Sequence, residues 1–154
     1  MPASCSTWRR TEAVPELNLE AAQKMAGSAI EHARQNNWRI AVAVLDAGGY
    51  PLQVSRMDGC NFLSPDIARG KAYAAAAWKL PSAELAGRWQ QLATAAAGMV
   101  GISGSRIVPV QGALPIFDGS RCVGAIGASG VKSDEDEACS RAGLRASGFS
   151  EAPS

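Results

Sequence analysis

The first clear pattern along the chain is an apolar stripe of helical period in residues 18–36. Apolar side chains recur there at steps of three and four residues, which places them on one face of a helix. Asn18 precedes the stripe, and an asparagine side chain can accept a hydrogen bond from a free amide at a helix start. The pattern predicts a helix that turns this face toward a core. Residues 1–16 have no period and are predicted to form a flexible N-terminal arm.

Short apolar runs, bounded by glycine and other turn residues, predict five strands. The runs lie at 39–46, 51–57, 107–110, 114–117 and 121–128. Turns at 47–49 and 118–119 join neighbouring runs, and such short glycine turns are typical of antiparallel hairpins. We therefore expect a mainly antiparallel sheet flanked by helices.

Two further helices are predicted in the middle of the chain. Ser64 is the predicted N-cap of one and is followed by a proline suited to the first turn, and Ser82 is the predicted N-cap of the other. Residues 92–105 are ambiguous, because their alanines favour a helix whereas their glycines favour its end.

Composition excludes several classes of protein. With 154 residues the chain fits one domain, and its net charge of +1 gives no broad basic field for nucleic acid. No apolar run reaches the roughly 18 residues of a membrane helix, so no membrane partner is expected. The four cysteines lack a C-x-x-C spacing and no secretory leader is recognisable, which favours free thiols in the cytoplasm.

Three segments together carry a resemblance to a known family. They read VLDAGGYPLQVSRMDG at 44–59, IARGKA at 67–72, and VGAIGASG followed by DEDEA at 123–138. As a set they resemble the GlcG/HbpS-like family, also called the haem-degrading domain family, over roughly 17–148. One departure is Gln111, which stands before Gly112 where many members have a pair of glycines.

The resemblance implies a profilin-like α/β sandwich with a five-stranded antiparallel sheet, assembled as a homo-oligomer. The domain would span 17–148, with a C-terminal tail at 149–154. Relatives of this type are associated with haem binding or degradation, with corrinoid-handling proteins and with small-acid catabolism. Such a family defines the fold better than the function.

Lys71 is the most informative candidate for chemistry, because it falls within the apolar stripe of the helix that starts at Ser64. A lysine that faces a core needs a counter-ion, a wet pocket or a route to solvent. It is therefore either a catalytic or anion-binding amine, or half of a structural ion pair with Asp46 or Asp58. Tyr73 lies on the opposite, polar face of the same helix.

Arg56 and Asp58 follow each other at the end of the second predicted strand. An arginine can hold a carboxylate or a haem propionate through two parallel hydrogen bonds, and a nearby aspartate can move protons. We group Asp46, before the first turn, with Arg56 as a candidate ligand-binding residue. The alternative is that Asp58 belongs to a simple turn and that Arg56 is a surface residue.

The acidic run at 134–137 opens the last predicted helix, which spans 133–146. The resemblance points to Asp136 and Glu137 as an acidic pair, and hence as candidates for a general acid or base. The structural alternative is that Ser133 and Asp136 form a capping box and that the other acids favour the helix dipole.

Gly127, Ser129 and Gly130 lie where the last strand meets the final helix. Small residues allow close approach of a ligand, so these three are candidate ligand contacts. Close packing between subunits is the alternative. The segment lacks the lysine of a phosphate-binding loop.

His32 is the chain's single histidine and falls at the rim of the apolar stripe of its helix. It could ligate haem iron only beside a pocket mouth or a subunit boundary. Without a second histidine, a polyhistidine metal site is not expected.

Three functions stay open at this level. The first is a cofactor-free enzyme of tautomerase, lyase or hydrolase type that acts on a small anionic metabolite. The second is a protein that binds or degrades haem or another tetrapyrrole, so haem is a candidate cofactor although none is required. The third is an accessory subunit without a ligand.

Overall fold

The computed structural model describes residues 17–154, so the predicted arm at 1–16 lies outside the described residues. Five helices and four strands make up this part of the chain. In chain order they are α1 (Leu19–Gln35), β1 (Ala41–Asp46), β2 (Pro51–Arg56), α2 (Ser64–Trp78), α3 (Ser82–Gln90), α4 (Ala93–Ile102), β3 (Ala113–Asp118), β4 (Arg121–Ser129) and α5 (Ser133–Arg145). None of the helices in 17–154 is long and apolar enough to cross a membrane.

The strands form one sheet in the order β2-β1-β4-β3, and every neighbouring pair is antiparallel. The predicted antiparallel sheet flanked by helices is confirmed, but the prediction of five strands is wrong, since the described residues form four. The missing strand is 107–110. The amide of Val108 donates to the carbonyl of Gly70 in α2 at 3.1 Å, and Pro109 has no amide to donate. This segment therefore docks on α2 instead of joining the sheet.

Helices cover both faces of the sheet. Helices α1 and α5 pack on one face over large aliphatic residues such as Val44, Leu114 and Ile126. Helix α2 lies on the other face, where the contact is built mainly from alanines. Small side chains on both surfaces bring the backbone of α2 unusually close to β4.

The helix starts agree with the sequence prediction at one place and differ at three. Asn18 caps α1 as predicted, because its Oδ1 accepts from the amide of Ala21 at 2.9 Å. Ser64 and Ser82 are not caps, since each is the first residue of its helix and is buried. The capping box from Ser133 to Asp136 is also wrong: the carboxylate of Glu135 accepts from the amide of Lys132 at 3.0 Å, and Asp136 points inward.

The end of the chain returns to the sheet. Phe117 in β3 and Ser150 exchange two backbone hydrogen bonds of 2.8 and 3.0 Å. The amide of Ser154 then donates to the carbonyl of Gly119 at 3.2 Å. The segment predicted as a tail is thus paired with the outer side of β3.

Candidate functional site

Lys71 lies in the interior between α2 and the start of α5. Its Nζ donates to Oδ2 of Asp136 at 2.7 Å and to the carbonyl oxygen of Ala128 at 3.2 Å. The two charged side chains are only 3% and 2% exposed. A structural ion pair was one of the sequence alternatives, but the expected partners, Asp46 and Asp58, were wrong.

Asp136 is held from two sides. Its Oδ1 accepts from the amide of Val131 at 3.2 Å while Oδ2 faces Lys71. Burial raises the pKa of the Asp136 carboxyl above its usual range, and the hydrogen bond and charge of Lys71 offset part of that rise. The pair joins two helices that lie on opposite faces of the sheet.

Gly112 closes the space beside this pair. Its φ is +136°, and a Cβ at this position would lie 2.7 Å from the Nζ of Lys71 and 3.0 Å from the Cβ of Asp136. The carbonyl of Gly112 accepts from the hydroxyl of Ser140 at 2.8 Å. A side chain at position 112 would push Lys71 and Asp136 apart, which explains why this position is a glycine.

Glu137 faces away from Lys71. One carboxylate oxygen accepts from Arg141 at 2.9 Å, and Arg141 also binds Glu151 at 3.0 Å. The other oxygen, Oε2, is buried without a hydrogen-bond partner among residues 17–154. The two acids that the resemblance groups together therefore serve separate contacts.

Arg56 and Asp58 line a surface groove of about 480 Å³ with Arg34 and Arg39. Asp46 lies elsewhere, where its Oδ1 accepts from the amides of Gly48 and Tyr50, both at 2.9 Å, and so fixes the β1–β2 turn. Neither Arg56 nor Asp46 contacts Lys71 through a hydrogen bond in the described residues. Lys71, the groove with Arg56 and Asp58, and the turn held by Asp46 are therefore three separate places in the structure.

The small residues at the end of β4 pack against the chain itself. A Cβ on Gly127 would lie 2.5 Å from the carbonyl oxygen of Ala68 in α2. Gly130 has φ +148° and approaches the backbone carbonyl of Arg39 too closely for a side chain. The carbonyl of Ser129 lies 4.0 Å from the thiol of Cys60. These contacts give the three residues a packing role within the chain.

His32 is half-buried on α1 and stacks edge-on against Trp38, with ring centroids 5.9 Å apart. Residues 17–154 contain no group of three or more histidine, cysteine, aspartate or glutamate side chains arranged to hold a metal ion.

A pocket that sequence reasoning missed lies on the α2 face of the molecule. It has a volume of about 350 Å³ and is bounded by α2, the β1–β2 turn and the segment after α4. Its walls combine aliphatic and aromatic side chains with two arginines. The lining residues are Leu45, Gly49, Leu63, Asp66, Ile67, Arg69, Gly70, Tyr73, Ser105, Arg106 and Val108.

Tyr73 and Arg106 contact each other in the lining of this pocket. The Arg106 guanidinium lies 4.8 Å from the centroid of the Tyr73 ring, and its Nε donates to the carbonyl of Ser103 at 2.7 Å. The Tyr73 ring also packs closely against Gly49, where a Cβ would come within 2.6 Å of the ring atom Cε2. Arg69 pairs with Asp66 at 3.6 Å, whereas Arg106 forms no ion pair with any residue of 17–154.

Comparison with known proteins identifies the relatives of this fold. The model of the family described as haem degrading protein HbpS-like matches residues 17–145. The chain belongs to the HbpS-like family. The resemblance seen in the three sequence segments is therefore confirmed.

This HbpS-like chain is similar to a curated protein and to several solved structures. Protein GlcG of Escherichia coli is 30% identical over 113 residues, which cover 73% of this chain and 81% of GlcG. A double mutant of Streptomyces reticuli HbpS is 34% identical with a TM-score of 0.77, covering 94% of this chain and 97% of HbpS. A PduOC–haem complex has a TM-score of 0.81 at 22% identity, with 90% and 99% covered, and supports the fold alone.

Proposed function

We propose that this HbpS-like protein binds haem or a closely related tetrapyrrole in the pocket between α2 and the segment after α4. The observation that carries the proposal is an apolar pocket whose wall holds Arg106, a cation without an ionic partner among the described residues. The family description names haem degradation, and the PduOC relative is described as a haem complex.

The residues of the pocket fit the chemistry of such a ligand. A tetrapyrrole has a broad apolar ring and acidic side chains, and Leu45, Ile67 and Val108 offer apolar surface for the ring. Arg106, and Arg69 beside it, can bind carboxylates through charge-assisted hydrogen bonds. A pocket of about 350 Å³ falls in the range of roughly 300–1,000 Å³ that is usual for small-molecule sites.

The chain's own residues would bind and orient the ligand in this function. Bound haem iron would supply the redox chemistry, whereas the protein would exclude water from one ring face and fix the carboxylates. Tyr73 packs against Gly49 and lies under the Arg106 guanidinium, and these two contacts restrict its ring in this wall.

Titration with hemin, followed by the Soret absorbance, tests the proposal. We expect a shifted Soret band that saturates at one haem per chain. Arg106→Ala should weaken binding about tenfold or more, because a charge-assisted hydrogen bond contributes roughly 1.5–3 kcal/mol. Arg121→Ala, which removes an exposed arginine outside this pocket, should bind hemin as the unaltered protein does. Absence of a saturable shift would refute the proposal.

A second candidate function rests on the groove that contains Arg56. Three arginines, Arg34, Arg39 and Arg56, surround it with Asp58 as the acidic group of the lining. This charge pattern suits a small organic acid, with Asp58 as the acid–base group of a cofactor-free reaction. Thermal-shift screening of dicarboxylic and aromatic acids tests it: a stabilising acid should lose its effect in Arg56→Ala. If no acid raises the Tm of the unaltered protein, this function is excluded.

We also propose that the protein is a homo-oligomer. Helix α4 has no charged side chain and no buried residue, and its Ile102 is 93% exposed. Exposed apolar surface of this kind often marks a contact between proteins.

A further inference from the structure

We propose that Tyr73 supplies an axial oxygen ligand to ferric haem in the α2 pocket, an inference that rests on the proposed haem-binding function. Haem iron in proteins is usually held by histidine, cysteine, methionine or tyrosine side chains. Among the residues that line the pocket, Tyr73 alone belongs to these four types.

The other residues of these types lie elsewhere in the described chain. His32 is on α1, which packs on the opposite face of the sheet from α2. Cys60 and Cys139 are buried, and Met25 is buried on the inner face of α1. The pocket lining also lacks the remaining cysteine and methionines of the described residues, Cys122, Met57 and Met99. Tyr50 projects from the β1–β2 turn with 66% of its surface exposed and does not line the pocket.

The surroundings of Tyr73 suit a ligand more than a packing residue. The ring has little freedom, because the backbone of Gly49 contacts one side and the Arg106 guanidinium lies 4.8 Å from its centroid. The phenolic oxygen takes part in no hydrogen bond within residues 17–154. The oxygen is not among the fully buried side-chain atoms without a partner in these residues, so it is accessible to a group that enters the pocket.

Ligation by Tyr73 is a simple exchange. The phenolic oxygen replaces one water on ferric iron, and the phenolic proton passes to solvent. The iron stays ferric, so no oxidant or reductant is needed. The Arg106 guanidinium lies over the ring, 4.8 Å from its centroid, where its positive charge complements a phenolate.

Absorbance and resonance Raman spectra of the ferric haem complex test the assignment. The unaltered protein should show a phenolate-to-iron charge-transfer band and phenolate vibrations enhanced by excitation in that band. Tyr73→Phe keeps the ring that packs on Gly49 but removes the oxygen, so both signals should disappear while hemin still shifts the Soret band. Tyr50→Phe, the matched variant of the chain's other tyrosine, should retain both signals.

A third variant tests whether the phenolate signals are lost in Tyr73→Phe because the ligand itself is removed. Tyr73→His should replace the phenolate signals with the spectrum of imidazole-ligated haem, because the new side chain would occupy the same coordination position. If Tyr73→Phe binds hemin with unchanged phenolate signals, or if the unaltered protein lacks them while binding hemin, the ligand assignment is wrong although haem binding stands. If hemin does not bind the unaltered protein, both proposals fall.

Discussion

At the scale of single residues, the feature that governs the interior is the buried pair of Lys71 and Asp136. Removing two charges from water costs several kcal/mol, which a short contact and additional hydrogen bonds must offset. Here the Nζ–Oδ2 contact is 2.7 Å, and Ala128 and Val131 supply the additional bonds. Loss of one partner therefore harms the fold more than loss of both.

We expect Lys71→Met to lower the free energy of unfolding at pH 7 by about 3–5 kcal/mol, because it leaves an uncompensated carboxylate in the interior. Urea unfolding measures the change. Lys24→Met, which alters an exposed lysine of α1, should change stability by less than about 0.5 kcal/mol. Lys71→Met with Asp136→Leu should cost less than Lys71→Met alone. A double variant at least as unstable as the single one would contradict this account.

The same variant should respond to pH in a defined direction. Burial already raises the pKa of Asp136 above 3.8, and loss of the Lys71 ammonium removes a cause that lowers it. The folded variant then holds its proton to higher pH than the unfolded chain does. Its stability should therefore fall as pH rises above about 4, and the difference from the unaltered protein should be smaller near pH 4 than at pH 7. A difference that is constant with pH would count against a buried carboxylate as the cause.

At the scale of elements, the sequence pattern correctly predicted the features that depend on contacts between residues close together in the chain. The apolar period and the asparagine cap correctly defined α1, and glycine turns correctly defined the two hairpins. The segment 107–110 has an apolar composition suited to a strand, yet it docks on α2 because Gly70 leaves space for Val108. That contact joins residues far apart in sequence, so no local window contains it.

The candidate site was harder to predict for the same reason. The helix period correctly placed Lys71 in the interior, but its partner Asp136 lies 65 residues away and was expected to act either in acid–base chemistry or in a capping box. Tyr73 was placed on the polar face of α2. That face becomes a pocket wall only because the segment containing Arg106 and Val108 folds over it.

At the scale of the whole molecule, α4 is the element least supported by its own chain. Helices shorter than about 12–15 residues are marginal in water, and this one has ten residues and includes Gly98 and Gly101. None of its side chains is fully buried, and only Ala96 and Val100 are partly buried against the cluster around Trp89. Contact with a second copy of the chain would cover its apolar surface, in agreement with the proposed homo-oligomer.

We expect Ile102→Lys to shift the protein toward monomer, because a charge at the most exposed apolar position of α4 opposes burial in an interface. Light scattering coupled to size-exclusion chromatography measures the mass. Leu19→Lys, at a position 51% exposed at the start of α1, should leave the mass unchanged. If the unaltered protein is monomeric, or if the Ile102→Lys variant keeps the same mass, the prediction that α4 forms the contact between copies is wrong.

The return of the chain end to β3 has a consequence for solubility. An outermost strand with free amides and carbonyls is a template for pairing with other chains and for aggregation. Ser150 uses both hydrogen-bonding groups of Phe117, and Ser154 uses the carbonyl of Gly119 just beyond the strand. Residues 149–154 thus protect this border of the sheet from intermolecular strand pairing, and Phe149 also packs against the core.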